Sequence, residues 1–154
     1  MKKQDQISET AIALLVRRFY TKVHGDPLLA PVFHTALGFD RAAWEPHLQV
    51  MDSFWSSVML TSGRYKGNPV AVHLALPRLT PAMFERWLAL FAETAHEVFA
   101  EPLAEAFVAK AHLIATSLQS ALNRLGPLPS GRSPDMTAAR NIHPPSIPSA
   151  LPGA

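Results

Sequence analysis

Asn68-Pro69-Val70-Ala71-Val72-His73-Leu74-Ala75-Leu76-Pro77 is an apolar run framed by prolines, with a single imidazole inside it. Asn68 offers a side-chain acceptor and Pro69 needs no amide partner, which together make a helix start. Pro77 cannot donate to a helical ladder, so only about two turns fit between the prolines. So short a helix has little stability of its own and must be held by its neighbours. His73 is the one titratable group in the run, and an imidazole buried there without a partner is costly. The rest of the chain has to supply longer helices around this segment and a partner for its ring.

Those helices are written on both sides of it. Upstream, Trp44, His47, Leu48, Met51, Phe54, Trp55 and Val58 recur at the spacing of one helix face, from an Asp40 cap to a stop at Gly63. Residues 7 to 24 carry a similar stripe of Ile12, Leu15, Val16, Phe19, Tyr20 and Val23, ended by Gly25 as a left-handed cap. Between them, Asp26-Pro27 repeats the cap-plus-proline signal and predicts a short helix over Leu28 to Phe33, before a turn at Gly38. Downstream, Thr80-Pro81 opens a helix whose Phe84, Trp87, Leu88, Phe91, Ala95, Val98 and Phe99 form the most regular stripe in the chain. Pro102 resets the chain into a final helix lined by Leu103, Phe107, Ala111, Ile114, Leu118, Leu122 and Leu125, with Gly126 placed to end it. No strand-like alternation and no solenoid repeat interrupts the series. An all-α domain over residues 1–126 is the expectation. Beyond Gly126 the periodicity stops, and half of the 14 prolines fall at 127, 129, 134, 144, 145, 148 and 152. Residues 127–154 read as a disordered proline-rich tail, with a peptide ligand for a proline-recognising partner as the lesser reading.

With 154 residues and 48% hydrophobic content, the chain has apolar material for one core large enough to enclose a cofactor. The formal net charge is +2, and basic residues interleave with acidic ones, so nothing points to nucleic acid or a membrane surface. The N-terminal Met1-Lys2-Lys3-Gln4-Asp5-Gln6 lacks the apolar core of a signal peptide, and no apolar run is long enough to span a bilayer. A soluble cytoplasmic protein is expected. Cysteine is absent, which excludes disulfides, thiolate–zinc sites, iron–sulfur clusters and thioether attachment of haem. No feature sets an oligomeric state, and a monomer is the expectation.

Tyr20, His47, His73 and Trp87 all fall on the inner faces of their helical patterns. Singly, each has an ordinary explanation as a core histidine or as an aromatic ring with one polar atom to place. Their combination asks for more. One imidazole closes no zinc site, and His73 has no HxxxH or HExxH companion, so a metal that arrives with most of its own ligands suits it best. Haem meets that condition: the porphyrin brings four nitrogens, takes a histidine on one face and leaves the other for a gas or peroxide. The competing reading is a non-haem helical interaction module whose rings all belong to its core.

Three stretches carry a closer likeness: Trp44-Glu45-Pro46-His47-Leu48-Gln49-Val50-Met51-Asp52-Ser53-Phe54-Trp55, Tyr65-Lys66-Gly67-Asn68-Pro69-Val70-Ala71-Val72-His73, and Phe84-Glu85-Arg86-Trp87-Leu88-Ala89-Leu90-Phe91-Ala92-Glu93-Thr94. With Asp26-Pro27-Leu28-Leu29-Ala30-Pro31-Val32-Phe33, they resemble the group III truncated bacterial haemoglobins in order and spacing over roughly residues 8 to 125. Groups I and II usually carry paired glycines in their loops, and this chain has no adjacent glycines. The resemblance implies a globin-like two-over-two helical sandwich enclosing a non-covalent haem b, clasped by residues 40 to 62 and the segment around His73. It implies His73 as the proximal iron ligand, and Tyr20, His47 and Trp87 as the distal ligand-binding residues. It further implies Phe33 packed on the porphyrin, Met51 bordering the ligand, and Phe54, Tyr65 and Arg78 as further cofactor contacts. Arg64, Lys66 and Arg78 flank the proximal segment and are candidates for the propionates, or else solvated surface charges. His73 is expected to donate the proton of its other ring nitrogen to a backbone carbonyl, since no carboxylate follows it in the short helix.

The function expected on this resemblance is binding of oxygen and of nitric oxide, carbon monoxide or peroxide, for ligand retention or redox chemistry rather than bulk transport. The alternative is a nitric oxide dioxygenase or peroxidase-type enzyme. No nicotinamide or flavin fingerprint is present, so its electrons would come from a separate reductase. From the missing periodicity of the tail, deleting residues 127–154 should change stability by less than about 0.5 kcal/mol. Thermal midpoints and haem affinity of the two proteins check this, and a large fall in either means that the tail docks on the domain.

Overall fold

Ser8 starts the first helix, α1 (Glu9–His24), by accepting from the Ala11 amide at 3.1 Å. Asn68 and Thr80 do the same for α4 (Pro69–Leu74) and α5 (Pro81–Val98), accepting from Ala71 at 3.1 Å and Met83 at 3.3 Å. The remaining helices are α2 (Ala30–Leu37), α3 (Glu45–Leu60) and α6 (Glu101–Leu125), with a 3-10 turn at Arg41–Trp44 before α3. The computed structural model describes residues 2–74 and 79–125, with the backbone alone for Arg41 and Leu74. The sequence expectations for Pro77, Arg78, Gly126 and the 127–154 tail lie outside the described residues.

All regular structure among the described residues is helical, and no helix there is long and apolar enough to cross a membrane. Helix α1 packs on α3 and on α5, α5 packs on α6, and α4 rests against α6. The pair α1 and α3 therefore lies over the pair α5 and α6, the two-over-two arrangement. Phe19, Phe91, Phe99 and Phe107 are fully buried where the layers meet. The Phe91 ring stacks on Trp55 at 4.8 Å and on Trp87 at 5.5 Å, and takes the edge of Phe19 at 5.3 Å. Near the chain start, the Gln4 amide donates to Val98 O at 2.7 Å and Gln4 O accepts from Ala100 at 2.8 Å, strapping the N-terminus across the α5–α6 joint.

Ion pairs set how the helices meet. Arg17 of α1 donates to both Asp52 oxygens of α3 at 2.8 and 2.9 Å and to Glu45 at 2.7 Å. Lys22 reaches Glu93 and Glu97 of α5 at 2.7 and 2.8 Å. Asp26, buried at the end of α1, accepts from the Leu28 and Leu29 amides at 3.1 and 3.0 Å and from Arg86 Nε at 2.7 Å.

Several boundaries differ from the sequence expectation. Gly25 is not left-handed: its φ is −99°, because the chain turns directly into Asp26, with the Gly25 and Asp26 amides bonded back to Lys22 and Val23 carbonyls. Asp26 caps a turn rather than the second helix, which runs over Ala30–Leu37 and closes at Gly38 with φ 92°. Asp40 caps only the 3-10 turn, accepting from Ala42 at 3.0 Å. Pro46 has no amide to carry that turn on, so α3 begins afresh with the proline in its first turn. It ends at Thr61, φ 51°, two residues before the expected Gly63. Leu125 is exposed because α6, at about 37 Å, outruns α5, at about 27 Å.

Burial raises the pKa of the Asp26 carboxyl, but Arg86 and the two amides outweigh it and hold it below the ordinary value. A depressed folded-state pKa stabilises the fold above the unfolded pKa and is lost as pH falls through the folded value. Asp26→Asn should cost about 1.5 to 3 kcal/mol at pH 7, the range for a hydrogen bond to a charged group. Urea midpoints should show the gap between the two proteins closing only below about pH 4; a gap constant to pH 2 contradicts this.

Candidate functional site

The residues that were singled out from the sequence come together around one cavity of about 700 Å³. Tyr20 enters it from α1, Phe33 from α2, and His47, Met51 and Phe54 from α3. Tyr65, in the loop before α4, His73 of α4 and Trp87 of α5 line it as well. Arg64 and Lys66 also line it, while Arg78 lies outside the described residues. Five helices therefore contribute these residues to one space.

His73 is fixed by its own short helix. Its Nδ1 lies 2.6 Å from the Pro69 carbonyl oxygen, one turn back. A carbonyl only accepts, so Nδ1 carries the proton and Nε2 presents a lone pair. Burial pushes the imidazole below the ordinary histidine pKa, against the opposing hydrogen bond to Pro69, and the neutral ring is favoured. The expected backbone-carbonyl partner for His73 is thus present.

Tyr20 meets His47 edge to face at 5.3 Å and Phe33 at 5.7 Å. Burial pushes its phenol far above the ordinary tyrosine value, so the hydroxyl remains a donor. The Tyr20 hydroxyl, the Trp87 indole N–H and His73 Nε2 have no hydrogen-bond partner among the described residues. All three residues line the cavity, where a bound group can reach them. A cavity with one lone pair, two donors, apolar walls and two cations fits haem in size and chemistry.

Sequence reasoning missed part of the wall. Met83, Phe84, Ile114 and Leu118 line the cavity, although their stripes were read only as core. It also missed the loop that leads to α4. A Cβ on Gly67 would fall 2.5 Å from the Tyr65 hydroxyl oxygen, so that ring lies against bare backbone and meets Phe54 at 5.2 Å. Burial pushes the Tyr65 phenol up to about 12. The Tyr65 amide donates to Ser57 Oγ at 2.8 Å, and Glu9 joins the loop to α1 by pairing with Arg64 and accepting from Ser56 at 2.6 Å. The Tyr-x-Gly spacing was the available signal for the first of these contacts; nothing local announces Glu9.

No family model matches the chain. It is 35% identical over 124 residues to the group 3 truncated hemoglobin of Campylobacter jejuni, a match covering 80% of this chain and 98% of that protein. Its structure is similar to the crystal structure of the group III truncated hemoglobin from Campylobacter jejuni, with a TM-score of 0.76 and 34% identity over 81% of this chain and 98% of that one.

Proposed function

The chain belongs to the group III truncated haemoglobins, and from that premise we propose that it retains oxygen, or uses it in redox chemistry, at a histidine-held haem with a Tyr20, His47 and Trp87 distal pocket. As a member of that family it is a haem globin that binds small ligands. The observation that carries the finer reading is the unpartnered trio of His73 Nε2, the Tyr20 hydroxyl and the Trp87 N–H around one cavity.

Haem, a non-covalent haem b in this reading, supplies the iron on which a diatomic ligand is held. His73 offers Nε2 to that iron, and the Pro69 carbonyl fixes the tautomer and the ring. Phe33, Met51, Phe54 and Tyr65 form the wall that excludes water, while Arg64, Lys66 and Arg78 serve the propionates. With haem in place, Tyr20 and Trp87 would donate hydrogen bonds to a bound ligand that carries negative charge, and His47 would gate its approach. Two donors slow ligand escape, which suits retention or turnover better than delivery. Turnover of nitric oxide or peroxide is the second use of the same pocket and takes its electrons from a separate reductase. The domain ends near residue 126, and the 127–154 tail is dispensable for haem binding.

His73→Ala should abolish or greatly weaken haem retention, read from the Soret band, while far-ultraviolet circular dichroism stays nearly unchanged. Unaltered haem content moves the ligand role elsewhere, first to His47. A protein with no Soret band after haem addition ends the haem reading altogether.

Tyr20→Phe and Trp87→Phe should each accelerate oxygen dissociation, by roughly ten- to a hundredfold for a lost hydrogen bond of about 1.5 to 3 kcal/mol. Carbon monoxide carries less negative charge on its outer atom, so its release should change much less. Equal acceleration for both gases, measured by stopped-flow displacement, means steric gating instead of hydrogen bonding.

A further inference from the structure

Resting on the haem reading above, we propose that Glu9, which stands outside the cavity, is a positioning residue: it holds the Arg64 guanidinium at the cavity wall, ready for a propionate carboxylate of the haem, and so slows haem loss. Glu9 opens α1, and Arg64 lies 55 residues on, in the loop before α4. Arg64 lines the cavity and Glu9 does not. The loop doubles back through left-handed residues at Thr61, φ 51°, and Gly63, φ 71°. Its hydrogen bonds then close a ring. A carboxylate only accepts, so Glu9 takes one bond from Arg64 Nη1 on one oxygen and one from the fully buried Ser56 hydroxyl, at 2.6 Å, on the other. With its proton committed to Glu9, the Ser56 oxygen accepts from Ser62 Oγ at 2.7 Å, and Ser62 Oγ accepts from the Arg64 amide at 3.3 Å. Arg64 is thus tied by its backbone through Ser62 and by its side chain through Glu9, and both ties lead to Ser56.

Glu9 engages only one of the three guanidinium nitrogens, and the other two have no hydrogen-bond partner among the described residues. A guanidinium presents its five N–H donors as a planar fork that matches a carboxylate, and a haem carries two carboxylates as propionates. Glu9 and a propionate are both negative, so the carboxylate on α1 could equally well repel the haem. Exposure decides between the two effects: Arg64 and Glu9 are 47% and 49% exposed, and water and salt screen the repulsion there. What remains is order. An unheld arginine at the surface has many rotamers to give up before it grips a ligand, and Glu9 has already restricted them.

In the haem-loaded full chain, Glu9→Ala should speed haem transfer to excess apomyoglobin by roughly two- to tenfold, the range for one freed side chain, with far-ultraviolet circular dichroism unchanged. Glu9→Gln can keep both contacts, with the Ser56 hydroxyl reversed to accept from the new amide, and should lose haem more slowly than Glu9→Ala. In an Arg64→Ala background, Glu9→Ala should add nothing. Haem dimethyl ester, whose propionates are esterified, removes the carboxylates from the other side of the contact. The unmodified protein and Glu9→Ala should release it at equal rates. A Glu9 effect that persists with the ester or without Arg64 means that Glu9 only braces the loop, and overturns the proposal. So does a Glu9→Ala protein that loses haem no faster than the unmodified one, or a Glu9→Gln protein as fast as Glu9→Ala. Absence of a Soret band with ordinary haem instead overturns the haem reading beneath it, so the two failures are distinguishable.

Discussion

The hydrogen bond between His73 Nδ1 and the Pro69 carbonyl is the constraint around which the rest of the site is arranged. It needs a helix, because the carbonyl is one turn back, and it needs the helix to start at Pro69, because Asn68 caps there. It fixes which nitrogen faces the cavity. No acidic residue shares α4, so the ring is neither charged nor strongly polarised, and an imidazole of ordinary donor strength results. On the proposed reading, the electronic character of the iron site is set by this absence of a carboxylate as much as by the histidine.

A six-residue helix cannot hold such a ring alone. Helix α4 is kept in place by α6 behind it and by the loop before it, where Tyr65 lies over Gly67 and Ser57 holds the Tyr65 amide. The opposite wall is fixed differently. There, charged pairs at Arg17 and Lys22 hold α1 against α3 and α5, and the Phe19, Phe91, Trp87 and Trp55 rings fill the space beneath. The cavity thus has one wall made by backbone and small residues and one made by ion pairs and stacked rings.

Much of this was legible in the sequence, for physical reasons that differ by element. The stripes of α1, α3, α5 and α6 reported themselves through spacing, because burying a helix face demands it. Tyr20, His47, His73 and Trp87 were visible as polar groups on apolar faces. The ends of helices were less legible. Gly25 does end α1, though without the left-handed turn, because the chain bends straight into the buried Asp26, while α3 stops at a left-handed Thr61 two residues before Gly63. Contacts between distant residues, such as Glu9 with Ser56 and Arg64, leave no local pattern at all.

The strap that joins the fourth residue of the chain to the ninety-ninth bears on the order in which the molecule assembles. Closing so long a loop costs chain entropy that only an already formed α5–α6 joint repays, whereas the α5–α6 hairpin closes over a short connection. The contact at the fourth residue is then among the last to form. Until it does, the backbone edge at Phe99 that the strap covers in the finished protein is open to water and to a strand of another chain.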